Sequence, residues 1–201
     1  MGETSDDLLW RRVARDDRDA FAELFNRHAR RVYGLCFRQT GDWDLAQDLT
    51  SITFLEAWRR RRSVLVDEGK VPAWLLGIAY NSLRHQWRSR RRYSRALAQL
   101  AAQPVEPDHA DDSAARASAE REAVVLLRQL GRLSKPQRAV LSLVGWEGLS
   151  PAEAAHALGM PEATVRSHLH RARRRLQPPT KPSPPPTPAA SISIDERIGS
   201  S

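Results

Sequence analysis

The chain has 201 residues and a mass of 22.7 kDa, which allows one domain or two small ones. Its net charge of +8 and pI near 10.6, carried mostly by arginine, favour a polyanionic partner such as nucleic acid. The single cysteine excludes an internal disulfide framework. The sequence contains no run of about 18 apolar residues, the length that a membrane-spanning helix needs, and its acidic N-terminus does not suit a secretory signal. A cytoplasmic protein without membrane insertion is therefore expected.

Four helical patterns fill the first half of the chain, over residues 5–14, 17–40, 42–61 and 72–92. The second pattern has apolar residues at spacings of three, four and seven, and Gly41 after it is suited to cap a helix C-terminus. The fourth begins with a proline, a good first-turn residue. The third has Leu45, Leu49, Ile52 and Trp58 on one side of the predicted helix.

The composition changes after the fourth pattern. Residues 95–118 are rich in alanine, aspartate and proline, which predicts a flexible acidic linker. A second helical block follows over residues 119–177, and the proline-rich residues 178–201 are expected to be extended and mobile. Since no strand pattern occurs, the predicted fold is all-α, with two small helical domains, 1–94 and 119–177, joined by the linker.

The second block has the pattern of a helix-turn-helix. Ser134 with Gln137 and Ser150 with Glu153 are spaced as capping boxes, and Gly159 suits the tight turn. The inner face of the last helix is predicted to consist of Val165, Leu169, Ala172 and Leu176. Its outer face carries donors suited to base edges and phosphates: Thr164, Arg166, Ser167, His170, Arg171 and Arg174. A helical bundle without DNA contact is the alternative, but the basic outer face favours DNA binding.

The fourth helix of the first block is also basic. Its polar side chains include Asn81, Arg84, His85, Arg88 and Arg91. Trp74, Tyr80 and Trp87 lie among them, and cations interleaved with rings suit single-stranded nucleic acid. Core packing is the more frequent role for the two tryptophans, and a solvated helix end is the alternative for the arginines.

Three segments carry a resemblance to a known family. Residues 42–58 have the sequence DWDLAQDLTSITFLEAW, residues 72–92 have PAWLLGIAYNSLRHQWRSRRR, and residues 149–176 have LSPAEAAHALGMPEATVRSHLHRARRRL. Together they resemble the bacterial sigma factors of the extracytoplasmic-function group. The third segment alone also resembles the DNA-binding ends of response regulators, so the order and spacing of all three decide the resemblance.

The resemblance implies three interfaces. Asp48, Phe54 and Leu55 would dock on core RNA polymerase, with Ser51 and Ile52 in the same contact. The family usually has a polar or acidic residue where Ile52 stands, and often a glutamine near Ser51. Asn81 and Arg84, with the loop 62–71, would capture an unpaired base of the melted minus-ten strand, and the neighbouring His85, Arg88 and Arg91 would bind the same element. The minus-thirty-five duplex would be bound through Arg166, His170 and Arg171, with Thr164, Ser167 and Arg174 beside them.

The expected function is that of a sigma subunit that directs core polymerase to promoters and promotes strand opening. A helix-turn-helix regulator that binds duplex DNA alone is the alternative, and core-polymerase binding distinguishes the two. An enzyme is disfavoured because the sequence has no catalytic constellation, and neither a cofactor nor a metal is expected. An anti-sigma partner is an expectation from the family and not from these residues.

Overall fold

The computed structural model describes residues 4–64, 66–100 and 114–176. Over these ranges the chain forms eight α-helices and one π-helical turn, with no strand. None of the described helices is both long and apolar enough to cross a membrane. The helices are α1 (Asp6–Val13), α2 (Arg18–Thr40), α3 (Trp43–Arg60), α4 (Val71–Leu100), α5 (Ala114–Gly131), α6 (Lys135–Leu141), α7 (Pro151–Leu158) and α8 (Glu162–Leu176), with the π-helical turn at Ser142–Trp146 between α6 and α7.

Helices α1 to α4 form the first domain, with α2 packed against α1, α3 and α4. Local capping sets the helix boundaries. The side chains of Asp17 and Asp42 accept hydrogen bonds from the backbone N–H of Ala20 at 3.0 Å and of Leu45 at 2.9 Å. As predicted, Gly41 ends α2 in the left-handed conformation, at φ +71°.

Helices α6 to α8 form the helix-turn-helix domain, with α5 leading into it. Both predicted capping boxes are present, so α6 begins after Ser134 and α7 after Ser150. Helix α6 changes to the π-helical turn after Leu141. Leu130 and Leu133 are buried with Ala172 of α8 in a small cluster of their own.

The two domains pack against each other. Helices α2 and α4 of the first domain contact α6, the π-helical turn and α7 of the second. One apolar cluster contains buried residues of both domains, including Leu76 from α4 and Leu158 from α7. The sequence divides into two helical domains, but in the folded chain the two domains share one apolar core.

The predicted linker is shorter than expected. Helix α4 continues to Leu100 and α5 begins at Ala114, so both ends of the 95–118 segment are helical. Alanine is frequent on both sides of the prolines, and this residue has the highest helix propensity. Residues 101–113 and the proline-rich tail predicted to be extended lie outside the described residues.

Candidate nucleic-acid and partner interfaces

Helix α8 has one buried apolar face and one exposed basic face. Val165, Leu169 and Ala172 are buried, and α8 packs against α6 and α7. Gly159, at φ +61°, makes the turn that separates α7 from α8. The opposite face exposes Arg166, Ser167, His170, Arg171 and Arg174, with Thr164 half-buried among them. The predicted donors thus form one accessible surface, which we call the α8 strip.

Helix α4 exposes part of its predicted nucleic-acid face. Asn81, His85 and Arg88 are exposed and Arg84 is half-buried, while the side chain of Arg91 lies outside the described residues. We call these five residues the α4 strip. The exposed members stand on consecutive turns of one helix, where they can follow a single phosphate backbone.

The aromatic residues of α4 serve packing. Tyr80 is only 5% exposed, and Trp87 meets it edge-on with the ring centroids 6.3 Å apart. The Lys135 ammonium of the second domain lies 4.1 Å from the centroid of the Trp87 ring. Trp74 is half-buried and meets Trp10 of α1 edge-on at 4.7 Å. The rings therefore hold α4 in place by packing, and core packing is the more frequent role of tryptophans in such a helix.

The outer face of α3 carries most of the predicted polymerase contacts. Asp48, Ser51, Ile52 and Leu55 are exposed and form what we call the α3 strip. Two of them are large and apolar: Ile52 is 49% and Leu55 58% exposed. Ile52 does not share the buried face of α3 with Leu49. That face consists of Ala46, Leu49, Thr50, Thr53, Phe54 and Ala57.

Phe54 was predicted to contact core polymerase, but its side chain is buried. Its ring is 3% exposed and lies among the rings of α2, with centroid distances of 4.7 Å to Phe25 and 6.2 Å to Phe21. A side chain so deeply buried supports the surface from beneath and does not touch a partner. Phe25 of α2, whose ring meets that of Phe54, is 40% exposed and adds apolar surface to this part of the first domain.

The sequence did not indicate the contact between domains, which is polar at its rim. Glu147, directly after the π-helical turn, accepts a hydrogen bond from Arg31 Nε at 3.0 Å and pairs with Arg38. In the interior, Gln39 Nε2 donates to Ser142 Oγ at 3.2 Å. Burial lowers the pKa of Arg38, although the neighbouring Glu147 opposes this shift. The domain contact therefore depends on a buried cation whose main partner is one carboxylate of the other domain.

Two sequence profiles match the chain: Sigma-70 region 2 over residues 24–93 and Sigma-70, region 4 over residues 123–176. The ECF RNA polymerase sigma factor SigK of Mycobacterium sp. (strain KMS) is 32% identical over 173 residues, which are 85% of this chain and 88% of that protein. SigK of Mycobacterium ulcerans (strain Agy99) is 33% identical over 177 residues, 86% and 93% of the two chains. The chain belongs to the ECF sigma factors.

Solved structures share the fold of this ECF sigma factor. CnrH in complex with the cytosolic domain of CnrY matches with a TM-score of 0.66 at 24% identity, over 85% of this chain and 94% of that one. RpoE in complex with the anti-sigma factor NepR, from Bartonella quintana, matches with a TM-score of 0.61 at 25% identity, over 78% and 94%. The predicted family and the all-α fold with region 2 before region 4 are confirmed.

Family membership gives the general function of this ECF sigma factor. It is a transcription initiation factor that acts with RNA polymerase and promoter DNA.

Proposed function

We propose that this sigma factor uses three separate surfaces: the α3 strip for core RNA polymerase, the α4 strip for the melted minus-ten strand, and the α8 strip for the minus-thirty-five duplex. The observation that carries this assignment is that the three strips lie on different helices and that their described side chains reach the surface of the folded chain, with Arg84 and Thr164 half-buried. One chain could then hold polymerase and both promoter elements at once.

The α3 strip has the chemistry of a protein interface. Ile52 and Leu55 expose apolar surface at its centre, and Phe25 adds a ring from α2. Asp48 supplies one charge on the same helix. Interface cores are depleted in charge and enriched in apolar groups, so Ile52 in place of a polar residue strengthens the apolar part of the contact.

The α4 strip would promote strand opening without chemical catalysis. Unstacking a base costs a few kcal/mol per step, and binding of the unpaired base by the protein offsets that cost. Asn81 supplies amide hydrogen bonds to a base edge, while His85 and Arg88 lie where they can meet the backbone. No step forms or breaks a covalent bond in the protein, so the role needs neither a metal nor a cofactor.

Promoter binding would require the two domains to separate. The minus-ten and minus-thirty-five elements lie about two DNA turns apart, on the order of 70 Å. The docked domains instead share one apolar cluster. Core polymerase would supply the scaffold that holds the separated domains at the promoter spacing, so the free chain is expected to bind promoters weakly.

We further propose a cytoplasmic location beside the polymerase and control by an anti-sigma protein. The similar RpoE is known in complex with the anti-sigma factor NepR, which supports a partner of that class. For the domain boundaries, we propose that the first domain includes α4 to Leu100 and that the second begins with α5 at Ala114, because both helices continue into the predicted linker.

Binding to core polymerase tests this assignment. Labelled wild-type chain would be titrated with sigma-free core polymerase, beside Asp48→Ala and Leu55→Ala, with Asp19→Ala on α2 as a control outside the strip. Each strip variant is expected to weaken binding by about tenfold, the usual cost of an anchoring interface residue. Wild-type binding unaffected by both strip variants would place the polymerase contact elsewhere, and failure of the wild type to bind would contradict the function.

A further inference from the structure

The connection between α3 and α4, residues 61–64 and 66–70, is tied at both ends to the N-terminal region. At its start, Arg61 Nε donates to Asp16 Oδ1 at 2.5 Å, and Arg62 pairs with the other oxygen of Asp16. At its end, the Gly69 N–H lies 3.0 Å from both carboxylate oxygens of Asp7. Two acidic side chains thus hold the two ends of the α3–α4 connection.

The region that supplies these carboxylates is itself fixed in the fold. Helix α1 buries Leu9, Trp10 and Val13 in the core. The chain before it is joined to α2, since His28 Nε2 lies 2.7 Å from Asp6 Oδ2 and Arg27 donates to the Thr4 carbonyl at 2.5 Å. Asp7 and Asp16 are therefore carried on a frame that packing and polar contacts hold against α2.

Apolar packing alone does not fix the α3–α4 connection. A cavity of about 320 Å³ lies between α1 and the connection, lined by residues that include Trp10, Arg62, Val64 and Val66. Gly69 is at φ +72° and Asp16 at φ +68°, conformations that need a specific local arrangement. Hydrogen bonds from Arg62 and Arg61 hold the pKa of Asp16 below its ordinary value, so its carboxylate stays charged through the neutral range.

We infer that Asp7 and Asp16 are positioning residues that hold the α3–α4 connection in the conformation needed to capture the melted promoter strand. The inference rests on the proposed function, together with the expectation from the family resemblance that the loop 62–71 captures an unpaired base with Asn81 and Arg84. Both carboxylates precede residue 24, where the match to Sigma-70 region 2 begins. Ordering the connection before DNA arrives reduces the entropy lost on capture.

A purely stabilising role makes a different prediction. Exposed ion pairs contribute little to folding, so their loss would change the thermal midpoint slightly and leave strand capture unchanged. A positioning role also predicts a small effect on folding, but it predicts a large effect on strand capture. The two roles are therefore separated by measuring both quantities on the same variants.

The test compares Asp7→Asn and Asp16→Asn with Asp19→Asn, which removes the same charge from an exposed site on α2. Holoenzyme made with each variant would be assayed for opening of a duplex promoter and of the same promoter carrying a premelted minus-ten element. Independently of transcription, trypsin cleavage at Arg61, Arg62 and Lys70 of the free chain would report how well the connection is held. Thermal unfolding would be followed in parallel.

The expected result for Asp7→Asn and Asp16→Asn is duplex opening slowed by about tenfold, because a neutral amide oxygen is a weaker acceptor than the carboxylate it replaces. Opening would be largely restored on the premelted template, core affinity would stay within twofold of wild type, and cleavage would be faster than in Asp19→Asn. Cleavage equal to that of Asp19→Asn, or an equal loss on both templates, would overturn the inference. Failure of wild-type holoenzyme to open any promoter would instead count against the proposed function, and the cleavage comparison would still decide whether the carboxylates hold the connection.

Discussion

Gly77 on α4 lies in backbone contact with Ala157 on α7. A Cβ placed on Gly77 would stand 3.3 Å from the Ala157 Cα and 3.6 Å from its Cβ.

Gly77 also begins a stripe of α4 that continues at helical spacing through Tyr80, Arg84 and Trp87. The second domain therefore covers the α4 surface beside Arg84, which explains why this residue is half-buried while Asn81 and His85 are exposed.

This proximity allows the domains to be locked together. A Cβ–Cβ distance of 3.6 Å is within the range of a disulfide, so Gly77→Cys combined with Ala157→Cys should cross-link the docked form. We expect the oxidised double variant to lose transcription by about tenfold or more, because the domains cannot separate to reach both promoter elements. Run-off transcription with and without reductant measures this.

The single cysteine variants serve as controls for the lock: Gly77→Cys carries the added Cβ beside Ala157 without a cross-link, and Ala157→Cys carries the second thiol alone. Addition of reductant should restore the double variant to the level of the single variants. Equal transcription by the oxidised and reduced double variant would show that the docked arrangement is compatible with initiation.

The native thiol should not interfere with the lock. Cys36 is fully buried, and burial raises its pKa to about 12, so the unreactive thiol form persists through neutral pH. We expect no reaction with a thiol reagent at pH 8 in the native chain and full reaction in urea. Because the folded pKa lies above the ordinary value of 9.0, stability should fall as the pH rises from about 9 towards 12. Stoichiometric labelling of the folded wild type at pH 8 would contradict this account.

Glu147 is the residue through which docking can be weakened. Its side chain is 6% exposed and is the partner of both Arg31 and Arg38. Glu147→Gln would leave the buried Arg38 without its counter-charge, at a cost of about 3 kcal/mol to the docked form. Small-angle X-ray scattering should then show a larger radius of gyration than in wild type. Glu162→Gln, which removes an exposed ion pair with Arg166 in the same domain, should leave the radius unchanged. An unchanged radius in Glu147→Gln would mean that apolar packing alone holds the domains.

Several features were predictable from sequence because they depend on neighbouring residues. The serines at 134 and 150 each have a capping partner three residues later, and Gly159 follows a short apolar helix, so the helix-turn-helix boundaries follow from local hydrogen bonding and backbone sterics. The basic face of α8 was also predictable, because a helical period of 3.6 fixes which residues lie opposite Val165 and Leu169.

Other features depend on contacts between distant residues and were not predicted. The motif of α3 indicated that Phe54 and Ile52 matter, but the rings of Phe21 and Phe25 on another helix decide that Phe54 is buried and Ile52 exposed. The contact between the docked domains pairs Arg38 with Glu147, which are over 100 positions apart. Neither contact leaves a local signal in sequence.

The α8 strip makes a quantitative prediction about salt. Each phosphate contact contributes about 0.9 to the slope of log affinity against log salt concentration, so Arg171→Gln or Arg174→Gln should lower the magnitude of that slope by about 0.9. The measurement is binding of a minus-thirty-five duplex by holoenzyme at several salt concentrations. Arg15→Gln, an exposed arginine between α1 and α2, is the control. Slopes identical to that of wild type would place the duplex on another surface.

Reconstituted initiation tests the central claim most directly. Promoters would be selected from a random DNA library by the chain with core polymerase, then footprinted and transcribed with core alone, the chain alone and both together. The account predicts transcription, and protection of two separated elements, only when both are present. A footprint of a single duplex site by the chain alone, unchanged by core polymerase and without transcription, would contradict it and would favour a helix-turn-helix regulator that acts without the polymerase.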